Sequence, residues 1–89
     1  MQTEELIKPK VKNIIEDQKT LVLFNDSVNT FEHVANLLIK YCNHEPNQAE
    51  QCAWIVHYKG KCNIKKGSLK ELHPISQALL DGGLTIDIN

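Results

Sequence analysis

Leu21-Val22-Leu23-Phe24-Asn25-Asp26-Ser27-Val28-Asn29-Thr30-Phe31-Glu32-His33-Val34 is the stretch in which the chain passes from an apolar run to an amphipathic one. Residues 21–24 are apolar and bounded by polar neighbours, the pattern of a short buried strand. Asn29, with Glu32 three positions later, gives a capping-box-like helix start. The Asn side chain would accept a free backbone N–H, and Glu32 sits favourably in the first turn. A strand therefore delivers the Asn25-Asp26 pair to the mouth of a helix. Loop residues held between rigid elements keep fixed directions, which suits ligand recognition.

Moving outward, Phe31, Val34, Ala35, Leu37, Leu38, Tyr41 and Cys42 recur at helical spacing from Thr30 to about Cys42, opposite a polar face of Glu32, Asn36 and Lys40. Asn43-His44-Glu45-Pro46 ends this helix. Pro46 suits the first position of a second one, whose pattern Ala49, Cys52, Ala53, Val56 runs on to a stop at Gly60. Two helices of similar length joined by a short connection predict an antiparallel hairpin. The end of the second helix, with Val56 and His57, then returns to Phe31 and Val34 beside Asn25-Asp26. Ala53, Val56 and His57 share a helix face. The spacing thus predicts an apolar recess walled by Phe31, Val34, Ala53 and Val56 and rimmed by Asn25, Asp26 and His57.

Lys61 to Lys66 alternates, with Cys62 and Ile64 on one side, as a strand with one wet face does. Ser68 with Glu71 repeats the capping signature ahead of Leu69, Leu72, Ile75, Leu79 and Leu80. Pro74 is expected to interrupt that stretch, so that the regular helix begins there and 68–73 form a turn. Gly82-Gly83 ends it, and Leu84, Ile86 and Ile88 alternate as a last strand. The order β-α-α-β-α-β predicts an α+β fold, a small antiparallel three-stranded sheet covered by three helices. Residues 1–19 are mostly polar, with Lys8-Pro9-Lys10 breaking any helix, and are expected to form a mobile tail ahead of a core domain at 20–89.

Composition narrows the function. A chain of 89 residues makes one domain and buries only roughly 60% of its unfolded surface, which favours a shallow pocket over a deep cleft. Ten basic and eleven acidic residues give a net charge of −1, and no basic stripe is interleaved with aromatics, so nucleic acid is not an expected partner. Cys42, Cys52 and Cys62 lack the even count of a secreted disulfide framework. The acids of Met1-Gln2-Thr3-Glu4-Glu5-Leu6 do not suit a signal peptide, and no window is apolar for the ~18 residues of a membrane span. A cytoplasmic protein without membrane contact is expected.

The same residues bear on three other chemistries. Cys42, His44, Cys52 and His57 are all metal-ligand types, but Cys52 and His57 lie about 140° apart around a helix and cannot close on one ion. Enzymatic use of Cys52 or Cys62 with a His, or of Asp26 with His57, lacks a phosphate loop, a nucleophile elbow or paired metal carboxylates. No metal, cofactor or catalytic residue is therefore expected. A protein-interaction domain using only a helix face, like the C-terminal domain of the ribosomal stalk protein, would not need Asn25, Asp26 or His57.

Leu23-Phe24-Asn25-Asp26, then Phe31-Glu32-His33-Val34, then Ala49 through Val56-His57-Tyr58-Lys59-Gly60-Lys61 resembles the ClpS adaptor family of the ATP-dependent Clp proteases. The match runs without gaps from about Leu21 to Lys61. The resemblance implies a compact domain of three antiparallel strands and three helices. It also implies an adaptor that binds the destabilising N-terminal residue of a substrate (an N-degron: Leu, Phe, Tyr or Trp) and hands that protein to a Clp AAA+ unfoldase of the ClpA or ClpC type. By the same resemblance Asn25, Asp26 and His57 correspond to the residues that bind the substrate α-amino group. Val34 and Val56 correspond to pocket walls, with Asn29, Phe31 and Ala53 at further pocket positions. Five positions depart from the family pattern: Ser27 for Asp, Asn29 for Thr or Ser, Thr30 for Pro, and Phe31 and Ala53 both for Met. These departures bear on substrate preference. The segment after Lys66 is shorter than the family pattern.

Overall fold

Leu21, Val22 and Leu23 are all at least 98% buried, as residues of a strand flanked on both sides. In the computed structural model, which describes residues 17–89, β1 (Lys19–Phe24) is the middle strand of a three-stranded antiparallel sheet. β2 (Lys61–Gly67) pairs with one edge and β3 (Thr85–Ile88) with the other. The expected order holds, with α1 (Phe31–Cys42) and α2 (Pro46–Lys59) between β1 and β2, and α3 (Leu69–Asp81) between β2 and β3. The core is one cluster. Leu21 and Leu23 of β1 meet Leu38 of α1, Cys52 and Val56 of α2, Ile64 of β2, and Leu72 and Leu79 of α3. Each fully buried Leu contributes about 1.5–3 kcal/mol.

Most predicted stops fall where the sequence puts them. Pro46 opens α2, and Gly60 closes it at φ 92°, a conformation an L-residue adopts only under strain, while its N–H donates to the Val56 carbonyl at 2.9 Å. At the start of α3 the Ser68 hydroxyl accepts from the Glu71 N–H and the Glu71 carboxylate accepts from the Ser68 N–H, a complete capping box.

Two expectations are corrected. Thr30, and not Asn29, caps α1: its hydroxyl accepts from the His33 N–H at 3.1 Å. Asn29 is drawn away because Asp26 already accepts its backbone N–H and its side-chain amide. Pro74 does not interrupt α3, which is continuous from Leu69 to Asp81. The capping box fixes the first turn and Leu72 and Leu79 anchor both halves in the core. The carbonyl that Pro74 leaves without a donor belongs to Lys70, an exposed residue within reach of solvent. The expected mobile tail lies outside the described residues as far as residue 16; Lys19 is paired with Gly67 in the sheet.

Candidate functional site

Strand pairing, as much as the helical hairpin, brings the candidate residues together. Phe24, the last residue of β1, pairs with Lys61, the first of β2. The Asn25 N–H donates to the Gly60 carbonyl at 2.9 Å. Because Gly60 directly follows α2, the last turn of that helix, with Val56 and His57, is fixed beside Asn25. From the other side α1 packs on α2 as its antiparallel partner and supplies Phe31 and Val34.

Between them lies a cavity of about 580 Å³ lined by Leu23, Phe24, Asn25, Asp26, Ser27, Asn29, Phe31, Val34, Ala53, Trp54, Val56 and His57. All eight candidate residues are in that lining. Its volume is within the range of small-molecule pockets. Ala53 and Val56 are buried and form wall, whereas Asn25 and His57 are exposed at the rim.

Asp26 organises the loop between β1 and α1. One carboxylate oxygen accepts from the Val28 and Asn29 N–H groups, each at 2.8 Å, and the other accepts from the Asn29 side-chain amide at 2.8 Å. These bonds to Asn29, then the Val28 N–H and nearby His33, hold the Asp26 carboxyl below its ordinary value, so it is an anion at neutral pH. A carboxylate offers about four acceptor positions, and three are committed to the loop. Negative potential at the rim is reinforced by the last carbonyls of α2, the partially negative end of a helix. The rim thus favours a cation, and the cavity beneath it favours an apolar group.

Asn29 and His33 fasten this loop to the turn between α3 and β3. The Asn29 amide donates to the Gly83 carbonyl at 2.8 Å, and His33 Nε2 lies 2.8 Å from the Gly82 carbonyl oxygen, to which it donates. Sequence reading missed this fastening, because partners 49 and 54 residues away leave no local signature. It also missed Trp54, which lines the cavity and packs on Phe31 with ring centroids 4.9 Å apart. The signal was there: Trp54 and Tyr58 fall off the buried stripe of α2, so they must face water or a ligand.

The three cysteines are free. Burial pushes the Cys42 thiol up to about 11; burial, then Cys62 and Cys42, push Cys52 up to about 12. Thiols so raised are poor nucleophiles. Among the described residues no group of three or more His, Cys, Asp or Glu could hold a metal ion, and no helix is long and apolar enough to cross a membrane.

Comparison with known proteins gives a consistent result. Residues 15–83 match the family described as "ATP-dependent Clp protease adaptor protein ClpS". The ATP-dependent Clp protease adapter protein ClpS of Thermosynechococcus vestitus is 36% identical over 70 residues, covering 74% of this chain and 71% of that protein. The protein of the same name from Nostoc sp. is 34% identical over 88 residues, covering 94% and 87%. The fold is similar to that of Agrobacterium tumefaciens ClpS2 bound to L-phenylalaninamide, with a TM-score of 0.77 at 14% identity over 81% of this chain and 94% of the other. This chain belongs to the ClpS family of adaptors of the ATP-dependent Clp protease.

Proposed function

We propose that this adaptor binds the free amino terminus of proteins beginning with a large apolar residue (Leu, Phe, Tyr or Trp) and delivers them to a Clp AAA+ unfoldase of the ClpA or ClpC type. The observation that carries the reading is the joining of an anionic rim to an apolar cavity of about 580 Å³. A chain's beginning differs from its interior by an ammonium with three donors, and a reader of beginnings needs acceptors converging on one point. Asp26, Asn25 and His57 supply them, with one acceptor position of Asp26 still open. The apolar walls take the first side chain. L-phenylalaninamide, the ligand of the structurally similar ClpS2, carries both of these parts, a free α-amine and an apolar ring.

Magnitudes explain why both parts are needed. A charge-assisted hydrogen bond contributes about 1.5–3 kcal/mol net, and burial of a Leu or Phe side chain about 1.5–3 more. Micromolar binding needs about 8 kcal/mol beyond ordering costs. Amine and side chain therefore have to be read together. Binding is the whole activity in this reading, with no catalytic step, and raised thiols fit it. Three free cysteines and a Clp unfoldase as partner fit the cytoplasm.

The test is a panel of peptides varied only at the first residue, each with a free and an acetylated amino terminus. Free peptides beginning with Leu, Phe, Tyr or Trp should bind and their acetylated forms should not. Equal affinity for the blocked forms would refute the reading.

A further inference from the structure

The apolar surface continues beyond the cavity. Trp54 forms part of the cavity wall, yet 47% of its surface is exposed. Tyr58, one helical turn on and 73% exposed, stacks on it with ring centroids 5.4 Å apart and planes 12° from parallel. His57 presents its ring edge-on to both, 6.2 Å from Trp54 and 5.1 Å from Tyr58. The core of α2 is made by Ala49, Cys52, Ala53 and Val56 without these aromatics. An exposed apolar patch of this kind marks a binding surface.

We propose that Trp54 and Tyr58 form a second subsite that takes the second side chain of a bound peptide and favours an aromatic one. The inference rests on the amino-terminus reading above. With the amine held at the rim beside His57, the second Cα lies about 3.8 Å from the first. Its side chain branches next to an imidazole whose ring centroid is 5.1 Å from that of Tyr58. Trp54 belongs to both surfaces, so a chain whose first residue fills the cavity leaves it alongside the stacked pair. A flat side chain meets a flat pair in offset or edge-to-face contact, whereas glycine meets nothing there.

The experiment compares peptides beginning Phe-Trp and Phe-Gly, otherwise identical and carrying a C-terminal dye, by fluorescence anisotropy with the full chain. Phe-Trp should bind about 3- to 10-fold more tightly. Tyr58→Ala and Trp54→Leu should bring the ratio close to one, and Tyr58→Phe should keep it. Tyr58→Ala should leave Phe-Gly affinity and the discrimination against acetylated peptide unchanged. A ratio of one in the unaltered protein, or a ratio indifferent to both substitutions, overturns the subsite while leaving the amino-terminus reading intact. Failure of both free peptides to bind overturns that reading and the subsite with it. Sedimentation showing that Trp54 and Tyr58 are instead covered by a second copy, with self-association lost in Tyr58→Ala, also overturns it.

Discussion

Asp26→Asn separates the charge at the rim from the shape of the loop. The substituted amide keeps one oxygen for the Val28 and Asn29 N–H groups but sets an NH2 against the Asn29 amide, itself a donor, where the carboxylate now accepts at 2.8 Å. The loop loses one bond near solvent, a cost of about 0.5–1.5 kcal/mol in stability. Binding loses more, because an ammonium facing a carboxylate becomes an ammonium facing a neutral amide. At about 1.5–3 kcal/mol for a charge-assisted bond, affinity for a free-amine peptide should fall roughly 10- to 150-fold. Acetylated peptide, with no charge to place, should be bound no worse than before, so discrimination between the two collapses by the same factor. The chain's single tryptophan, Trp54, lies in the cavity wall and reports occupancy by its own fluorescence. In acid the unaltered protein should come to resemble the variant. Hydrogen bonds depress the folded pKa of Asp26 below 3.8, so its contribution is present above that value and is lost as pH falls through the lowered one. Undiminished discrimination in a variant with an unchanged circular dichroism spectrum would refute the role given to Asp26.

Three further substitutions probe the remaining parts. Ala53→Met adds bulk to a buried wall and should displace about 1–3 kcal/mol of overpacking onto large ligands, so peptides beginning with Trp or Phe should weaken more than those beginning with Leu in the same titration. Asn29→Leu removes the amide shared between Asp26 and the Gly83 carbonyl; a loss of about 1–2 kcal/mol should lower the melting temperature by several degrees and weaken free-amine peptides less than Asp26→Asn does. Ser68→Ala breaks the capping box of α3 and should cost about 1 kcal/mol in chemical denaturation, with peptide affinity unchanged because Ser68 is not in the cavity lining.

Elements with a local cause were legible in the sequence. Ser68 and Glu71 meet across one turn, Pro46 and Gly60 act through their own backbones, and the alternation of Cys62 and Ile64 requires no partner to be recognised. The eight candidate residues share one cavity because two local facts, a helical hairpin and a strand following Gly60, fix their meeting. What escaped was non-local or competitive. Asn29 had the right spacing for a cap, yet Asp26 offered its side chain a better acceptor and Thr30 took over the cap. Pro74 had the right chemistry for a break, yet the carbonyl it leaves without a donor belongs to exposed Lys70, and the core residues on either side hold the helix together. Trp54 lies outside the periodic stripe that builds the core of α2, so hydrophobic periodicity does not mark it, while the cavity wall draws on residues off that stripe.

The loop bonds also constrain how the rim can discriminate. Three of about four acceptor positions on Asp26 are taken by its own loop, so Asp26 cannot surround an ammonium; it can offer one bond and a field. In the proposed reading, direction comes from Asn25 and His57, which the Asn25 bond to the Gly60 carbonyl holds side by side. The carboxylate is held by Asn29, and Asn29 by the Gly83 carbonyl. The turn between α3 and β3 therefore belongs to the support of the rim although it contributes no side chain to the cavity. Fastening the loop to a distant turn supports it from outside the cavity lining. If the rim binds an amino terminus as proposed, its charge is already in place in the unliganded chain, and the ordering cost of binding falls on the ligand and not on the loop.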